Sequence, residues 1–180
     1  VDRGLEIEPA RFSAFQRRCI LFAIIVWVVL SGGYVLQQAA NNPLYRSPTM
    51  DSAYHDSWAK DIASGRLTFD QPFYRAPLYP YFLCFSFAAA GTNTLVPRLV
   101  QVLFGVSLVV FVGDIARRVI SPAAGVWAAF LAAICWPFHY FSGEFLVEAL
   151  ALPFVALGMW FVVRTRVRLS ATRWLICGLI

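Results

Sequence analysis

Between Pro48 and Pro80 the chain reads PTMDSAYHDSWAKDIASGRLTFDQPFYRAPLYP, the only long polar interval in a sequence otherwise built of apolar runs. It carries four acids (Asp51, Asp56, Asp61, Asp70) and three bases (Lys60, Arg66, Arg75), and it closes on a stiff Pro-Leu-Tyr-Pro step. The runs on either side decide the fold class. Of the 180 residues, 59% are hydrophobic and 14% charged, where a soluble domain carries roughly 25% charged residues. The apolar residues come in uninterrupted stretches without an amphipathic period, the pattern of bilayer spans rather than of a large soluble core. The expected fold is therefore all-α: a multi-pass transmembrane helical bundle, with residues 40–93 as an external loop carrying amphipathic juxtamembrane helices.

The net charge of +5 does not point to nucleic acid. The arginines sit in short clusters beside apolar runs, the arrangement that orients a membrane protein. Residues 1–18 form a mixed-charge leader ending in Arg17-Arg18, and 19–39 form the first span. A signal peptide is the competing reading, with Gln37-Gln38-Ala39-Ala40 as a loose cleavage region. The run is long for a signal core, however, and the leader carries Asp2, Glu6 and Glu8. An anchored first span with a cytoplasmic N-terminus fits better, in a plasma membrane of the bacterial inner-membrane kind. Cys19, Cys84, Cys135 and Cys177 are widely spaced within apolar segments and read as small buried hydrophobes.

Asn41-Asn42-Pro43 breaks the first helix, and Ser47-Pro48 is the expected start of the next, with Ser as cap and Pro in the first turn. Met50, Tyr54, Trp58 and Ile62 recur every four residues while Asp51, His55, Asp56 and Lys60 fall elsewhere on the circumference, a surface helix stopped by Gly65. Pro77–Ala90 has an apolar length of about 14 residues, short of the roughly 20 a crossing needs. If it crossed as well as the run 94–120, Arg117-Arg118 would fall outside; the positive-inside bias therefore makes it a segment that dips in or lies flat. Spans follow at 122–140 and 144–163, and a further one begins at 174–180. In that topology ten basic residues lie inside and five (Arg46, Lys60, Arg66, Arg75, Arg98) outside. The chain reads as the N-terminal part of something longer.

This parity places Asp51, Arg75, Glu144 and Glu148 on one, external side. Glu144 and Glu148, four apart, are expected on one face at the start of a helix. For Glu144, the competing explanation is a favourable acid at a helix N-terminus; Glu148, one turn deeper, costs free energy unless paired, hydrated or useful. Asp51 is open to the same bland explanation, an acid in the first turn of its helix. Arg75 lies two residues before the chain re-enters the bilayer at Pro77, where a lipid phosphate would sit, and a guanidinium binds phosphate in bidentate fashion. His55 reads as a polar neighbour on the Asp51 helix and His139 as an interfacial ring beside Tyr140, neither with metal spacing. Asp114 is explained by a pair with Arg117 or Arg118.

The order of these features carries a resemblance. A first span is followed by Asp51 and Tyr54 in an amphipathic helix closing with Ile62-Ala63-Ser64-Gly65. Then come Phe73-Tyr74-Arg75-Ala76-Pro77-Leu78-Tyr79-Pro80, Arg98-Leu99-Val100-Gln101, and Gly143-Glu144-Phe145-Leu146-Val147-Glu148-Ala149-Leu150. This resembles the N-terminal portion of the GT-C superfamily of membrane glycosyltransferases, of the protein O-mannosyltransferase and aminoarabinose transferase type. The resemblance implies that Asp51 is the catalytic base and Glu148 the second acid bordering the site. It implies that Arg75 contacts the donor phosphate, with Tyr54, His55 and Glu144 in support. Many relatives have an Asp-Glu pair where this chain has Asp51-Ser52, and some have an acid where it has Arg75-Ala76. A divalent metal found in some relatives is thus an open expectation here.

The implied activity is transfer of a sugar from a polyprenyl-phosphate donor, held in the lipid bilayer by its tail, to a hydroxyl of an acceptor that is protein, lipid or glycan, with inversion. The competing class is a non-catalytic membrane protein, a transporter subunit or lipid-binding scaffold. Transporter sites lie near the bilayer midplane on broken helices, whereas the acids here gather at one face.

Overall fold

The computed structural model describes residues 11–66, 75–91, 93–164 and 178. Most of the leader, Asp70 to Tyr74, the arginines at 166, 168 and 173, Cys177 and the start of the span expected at 174 lie outside these residues. Among the described residues the regular structure is helical: α1 Ala14–Asn41, α2 Met50–Ala63, α3 Leu78–Ala90, α4 Leu95–Val119, α5 Pro122–Ile134, α6 Trp136–Gly143 and α7 Glu148–Arg164. A short 3-10 turn occupies Pro43–Tyr45.

Helix α1 starts five residues before the expected span because Ser13 and Gln16 form a capping box: the Gln16 N–H donates to Ser13 Oγ, and the Ser13 N–H donates to Gln16 Oε1. It ends at Asn41, and Asn42 caps the 3-10 turn by accepting from the Leu44 N–H. Helix α2 begins at Met50, not at Ser47-Pro48: the Asn-Pro break is absorbed by the 3-10 turn, and Thr49 is the N-cap. Its stop at Gly65 follows from a left-handed backbone of φ 98°, which a glycine adopts without a Cβ penalty.

The face that α2 buries also differs from the expected stripe. Met50 is 91% exposed and Tyr54 partly so, while Ser52, His55, Asp56, Ala59 and Ile62 are buried with Trp58. Helix α2 turns this mixed face onto α3 and the start of α7, where Ala59, Tyr79, Leu83, Phe87, Phe145 and Ala149 form one apolar cluster. Such packing is the reason a polar flank with His55 and Asp56 is taken out of water.

Helix α4 is the axis of the bundle, packing against α1, α3, α5, α6 and α7. At Gly105 it meets the Trp27 indole of α1 so closely that an added Cβ would collide with the ring, and Trp27 Nε1 donates to the Val102 carbonyl at 2.9 Å. Lower down, Gly113 of α4 and Gly125 of α5 let two backbones touch, a Cβ on Gly125 falling 2.7 Å from the Gly113 oxygen. Small residues at such contacts let helices pack closely within lipid.

Helices α1 and α4 are each long and apolar enough to cross a membrane. The run expected as one span over 122–140 is two helices bent by 50° at Cys135, and α5 with α6 can cross together as one bent span. Pro137, in the first turn of α6, has no N–H to donate to the Ala133 carbonyl, so α5 cannot run on through it, and the chain bends at the extended Cys135. Helix α7 is a further apolar helix of 17 residues with Pro153 inside it.

Contacts define the two ends. The end of α1, α2, the starts of α4 and α7 and the end of α6 gather at one of them. At the other, Asp114 accepts from Arg117, Arg118 and Trp160 of α7, and Arg117 lies over Phe12. The pair expected for Asp114 is thus a cluster that also ties α4 to α7. Helix α3 has both flanks at the first end. Arg75 before it reaches Asp51, and the Thr94 carbonyl after it accepts from Arg98.

Gly105→Ala should cost about 1–3 kcal/mol of stability, because the rigid indole of Trp27 must move out of the way. Gly32→Ala, with open space at its Cβ, is the control. Thermal unfolding in detergent should show a lowered midpoint for the first variant only; equal midpoints would mean that the α1–α4 contact is looser than described.

Candidate active site

The site is assembled by two polar side chains of α4. Arg98 and Gln101, three residues apart on one face, are each 1% exposed. Arg98 Nε donates to the Gly143 carbonyl at 2.6 Å, Nη1 to Thr94 at 2.8 Å and Nη2 to Tyr45 at 3.3 Å. Its plane is sandwiched between the rings of Tyr45 and Phe145, at 3.9 and 4.0 Å. Gln101 Nε2 donates to the carbonyls of Ser142 and Glu144, and Gln101 Oε1 accepts from the Tyr79 hydroxyl at 2.8 Å. These bonds hold the α6–α7 junction against α4 and α3.

That anchoring changes the reading of Glu144. It is not on a helix with Glu148: it is the residue after α6, in extended backbone (φ −108°, ψ 157°), and α7 begins at Glu148. The carbonyls that would continue a helix are already spent on Arg98 and Gln101, and Phe145 turns inward onto the guanidinium. The two acids therefore look into different cavities. Glu144 borders one of about 410 Å³ with Asn42, Thr49, Ser52 and Tyr140; Glu148 borders one of about 290 Å³ with His55, Arg75 and Ala76. Asp51 and Leu146 border both.

Asp51 sits in the first turn of α2, after Met50, whose φ of 52° is unusual for a residue other than glycine. Its Oδ1 accepts from Arg75 Nη2 at 2.8 Å, and that hydrogen bond holds the carboxyl below the usual aspartate range. The Arg75 guanidinium also lies 5.2 Å from the centre of the Tyr54 ring, close enough for a cation–π contact. Of the residues expected in support, Tyr54, His55 and Glu144 all lie at this end of the bundle.

His55, one turn on from Asp51, is 2% exposed and set edge-on against Tyr54 and Tyr79. Burial, with the nearby Arg75, lowers its pKa and keeps the ring neutral. Its Nδ1 is buried with no hydrogen-bond partner, and so is Glu148 Oε2. Glu144 is pushed up by burial and drawn back by Arg98. Among the described residues, no group of three or more His, Cys, Asp or Glu side chains is placed to hold a metal ion.

His139 is not an interfacial ring. It is buried, stacked on Trp27 at 4.7 Å, with Nδ1 2.7 Å from Ser31 Oγ, and it fixes α6 to α1. The anchoring role of Arg98 and Gln101 escapes a reading by charge side alone. The signal for it is a pair of polar residues on one face of an otherwise apolar helix, which must find buried partners.

Residues 70–180 match the model of one protein family, described as dolichyl-phosphate-mannose-protein mannosyltransferase. The chain belongs to this family. It is a membrane glycosyltransferase of the GT-C type, mannosyltransferase-like, and its family draws on a lipid-linked sugar donor. This membership favours the enzyme over a non-catalytic scaffold. The matched region contains Arg75, Arg98, Gln101, Glu144 and Glu148, whereas Asp51 and His55 precede it. No curated protein and no solved structure matches the chain.

Arg98→Leu should leave the Gly143 and Tyr45 carbonyls without their donor, at about 1–3 kcal/mol for each buried acceptor. Limited proteolysis should then open the 143–147 junction, and sugar transfer should fall with it. Arg98→Lys should restore little, since an ammonium matches neither the fork of donors nor the stacking of the two rings. A junction as resistant in Arg98→Leu as in the native protein would contradict this account.

Proposed function

We propose that this glycosyltransferase moves a sugar from a polyprenyl-phosphate donor to a hydroxyl of an acceptor at the extracytoplasmic face of the bacterial inner membrane, with inversion at the anomeric carbon. One observation carries the reading: the Asp51 carboxylate stands on the border of two cavities, hydrogen-bonded to the one arginine that the sequence places for phosphate. Sequence charge supports the sidedness, since the site end of the bundle is the end poorer in arginine clusters.

The smaller cavity, with Arg75, His55 and Glu148, takes the sugar phosphate; the larger, with Glu144 and Tyr140, takes the acceptor. Between α4 and α7 an apolar cavity of about 330 Å³, lined by Leu103, Phe104, Phe111, Phe154 and Leu157, offers the prenyl tail a way into the bundle. Chemistry then needs one base and one anion stabiliser. The acceptor oxygen attacks the anomeric carbon from the larger cavity as its proton passes to Asp51. The bond to the phosphate oxygen breaks on the opposite side, its electron pair leaves with polyprenyl phosphate, and Arg75 stabilises that anion. Attack from the side opposite the departing phosphate makes inversion the expected outcome. Asp51 supplies the base and Arg75 the anion stabiliser; a divalent ion, where bound, would add to the stabilisation of the phosphate.

The Asp51–Arg75 ion pair has a further role in this scheme. With Arg75 bonded to it, Asp51 is a weak base. A donor phosphate competes for the guanidinium, and the carboxylate it displaces regains ordinary basicity when the acceptor needs it.

Asp51→Asn should lower kcat by about 10²–10⁴-fold at unchanged protein level; undiminished sugar transfer would remove Asp51 from the mechanism. In the native enzyme the acid limb of kcat/KM should lie below the ordinary aspartate value of about 3.9. Arg75→Gln should move that limb upward and weaken donor binding about tenfold or more. A limb that stays in place would show that Arg75 does not control Asp51.

A further inference from the structure

The smaller cavity holds two features that the proton transfer and the phosphate contact do not use. His55 Nδ1 and Glu148 Oε2 are buried polar atoms without a hydrogen-bond partner, and both residues line this one space. A buried polar atom left unpaired costs about 1–3 kcal/mol, and here two such atoms belong to residues that line one space, where a ligand able to pair both would recover that cost. The cavity, about 290 Å³, is at the small end of the roughly 300–1,000 Å³ typical of small-molecule sites. With a phosphate on Arg75, it has room for one sugar ring.

Chemistry narrows the occupant. A carboxylate oxygen accepts only, and an imidazole nitrogen of a neutral ring can accept or donate. Sugar hydroxyls satisfy both, because each can donate and accept. Water could pair either atom singly, but it would then have to be displaced on every turnover. A single metal ion would need its ligands to converge, whereas Asp51, His55 and Glu148 line the cavity without coming together as a metal-holding group. The charged and titratable neighbours of His55 are Asp51, Arg75 and Glu148, with the rings of Tyr54 and Tyr79 packed on it.

We propose that His55, through Nδ1, and Glu148, through Oε2, bind hydroxyls of the transferred sugar and so set its anomeric carbon between Arg75 and Asp51. This rests on the glycosyl-transfer reading and adds to it the residues that distinguish a sugar-bearing lipid from a bare one. His55 is a specificity-determining residue here and takes no part in proton transfer. Its neutrality suits the task, since a protonated ring beside Arg75 would be a second cation and could no longer accept at Nδ1.

The test compares binding of polyprenyl-phosphate mannose and of bare polyprenyl phosphate to the full-length protein in lipid nanodiscs. The native protein should prefer the sugar-bearing lipid by about tenfold, the worth of one or two such hydrogen bonds. His55→Phe keeps a ring against Tyr54 and Tyr79 but has no Nδ1; it should lose the preference while binding bare polyprenyl phosphate as before. His55→Asn, which places a polar atom near the position of Nδ1, should recover part of the preference, and Glu148→Gln more than Glu148→Leu. Retained preference in His55→Phe, or equal loss in the Phe and Asn variants at matched thermal stability, would overturn the proposal. So would a loss of preference reproduced in the native protein by a chelator, which would assign sugar reading to a metal ion. If the native protein binds neither lipid saturably, the glycosyl-transfer reading falls and this inference with it. If it binds both and only the His55 variants fail to respond, the inference alone falls.

Discussion

A buried guanidinium in an apolar helix is the constraint from which the rest of this structure follows. Arg98 cannot reach water, and no acid is bonded to it among the described contacts; its charge is met by three backbone carbonyls and two ring faces. Each acceptor comes from a different part of the chain: the turn after α1, the start of α4 and the end of α6. Satisfying one side chain therefore pins three segments at one level. Gln101, a turn below, does the same for the α6–α7 junction and for Tyr79 of α3. The desolvation cost of such groups in the bilayer is high unless every donor is used, which makes the arrangement all-or-none. A junction displaced by even one residue would strand donors that have no alternative.

The site inherits its geometry from that anchor. Because residues 143–147 are held out of helix, Glu144 and Glu148 separate into two cavities and Phe145 closes the guanidinium from one side. Because Tyr79 is tied to Gln101, α3 brings the Arg75 loop across to α2, where the guanidinium finds Asp51 and the Tyr54 ring. The opposite end of the bundle is locked by a second polar knot, Asp114 with Arg117, Arg118 and Trp160. Between the two knots the contacts are those of close-packed membrane helices, with Gly105 under Trp27 and Gly113 against Gly125. Polar rigidity at both ends and small-residue packing between them hold the candidate site's side chains on a frame that the α2 surface alone could not provide.

In the proposed mechanism the Asp51–Arg75 pair serves both the resting site and the reaction. Both side chains remain partly exposed, so their bond is exchangeable and weak in stability terms. What it does is electrostatic: it lowers the basicity of the carboxylate, and in the mechanism proposed above a competing donor phosphate would release it. An exposed ion pair would be a poor structural element, but it is a good place to couple donor arrival to base activation.

The bilayer fold class, the break at Asn41-Asn42-Pro43, the stop at Gly65 and the gathering of Asp51, Arg75 and Glu148 at one end were all determined by sequence. Each depends on local chemistry: long apolar runs, fixed proline φ, glycine in the left-handed region, or charge clusters that sort between the two faces of a membrane. Tertiary structure alone decided which face α2 buries, where α7 begins, and that two acids four residues apart look into different cavities. The first depends on the apolar cluster α2 meets on α3 and α7; the other two depend on where Arg98 and Gln101 find acceptors, and such partners lie some 40 to 50 residues away along the chain. Periodicity reports which residues can share a face; only packing decides which face wins, because burying a polar side chain is tolerable solely where the fold supplies its partner.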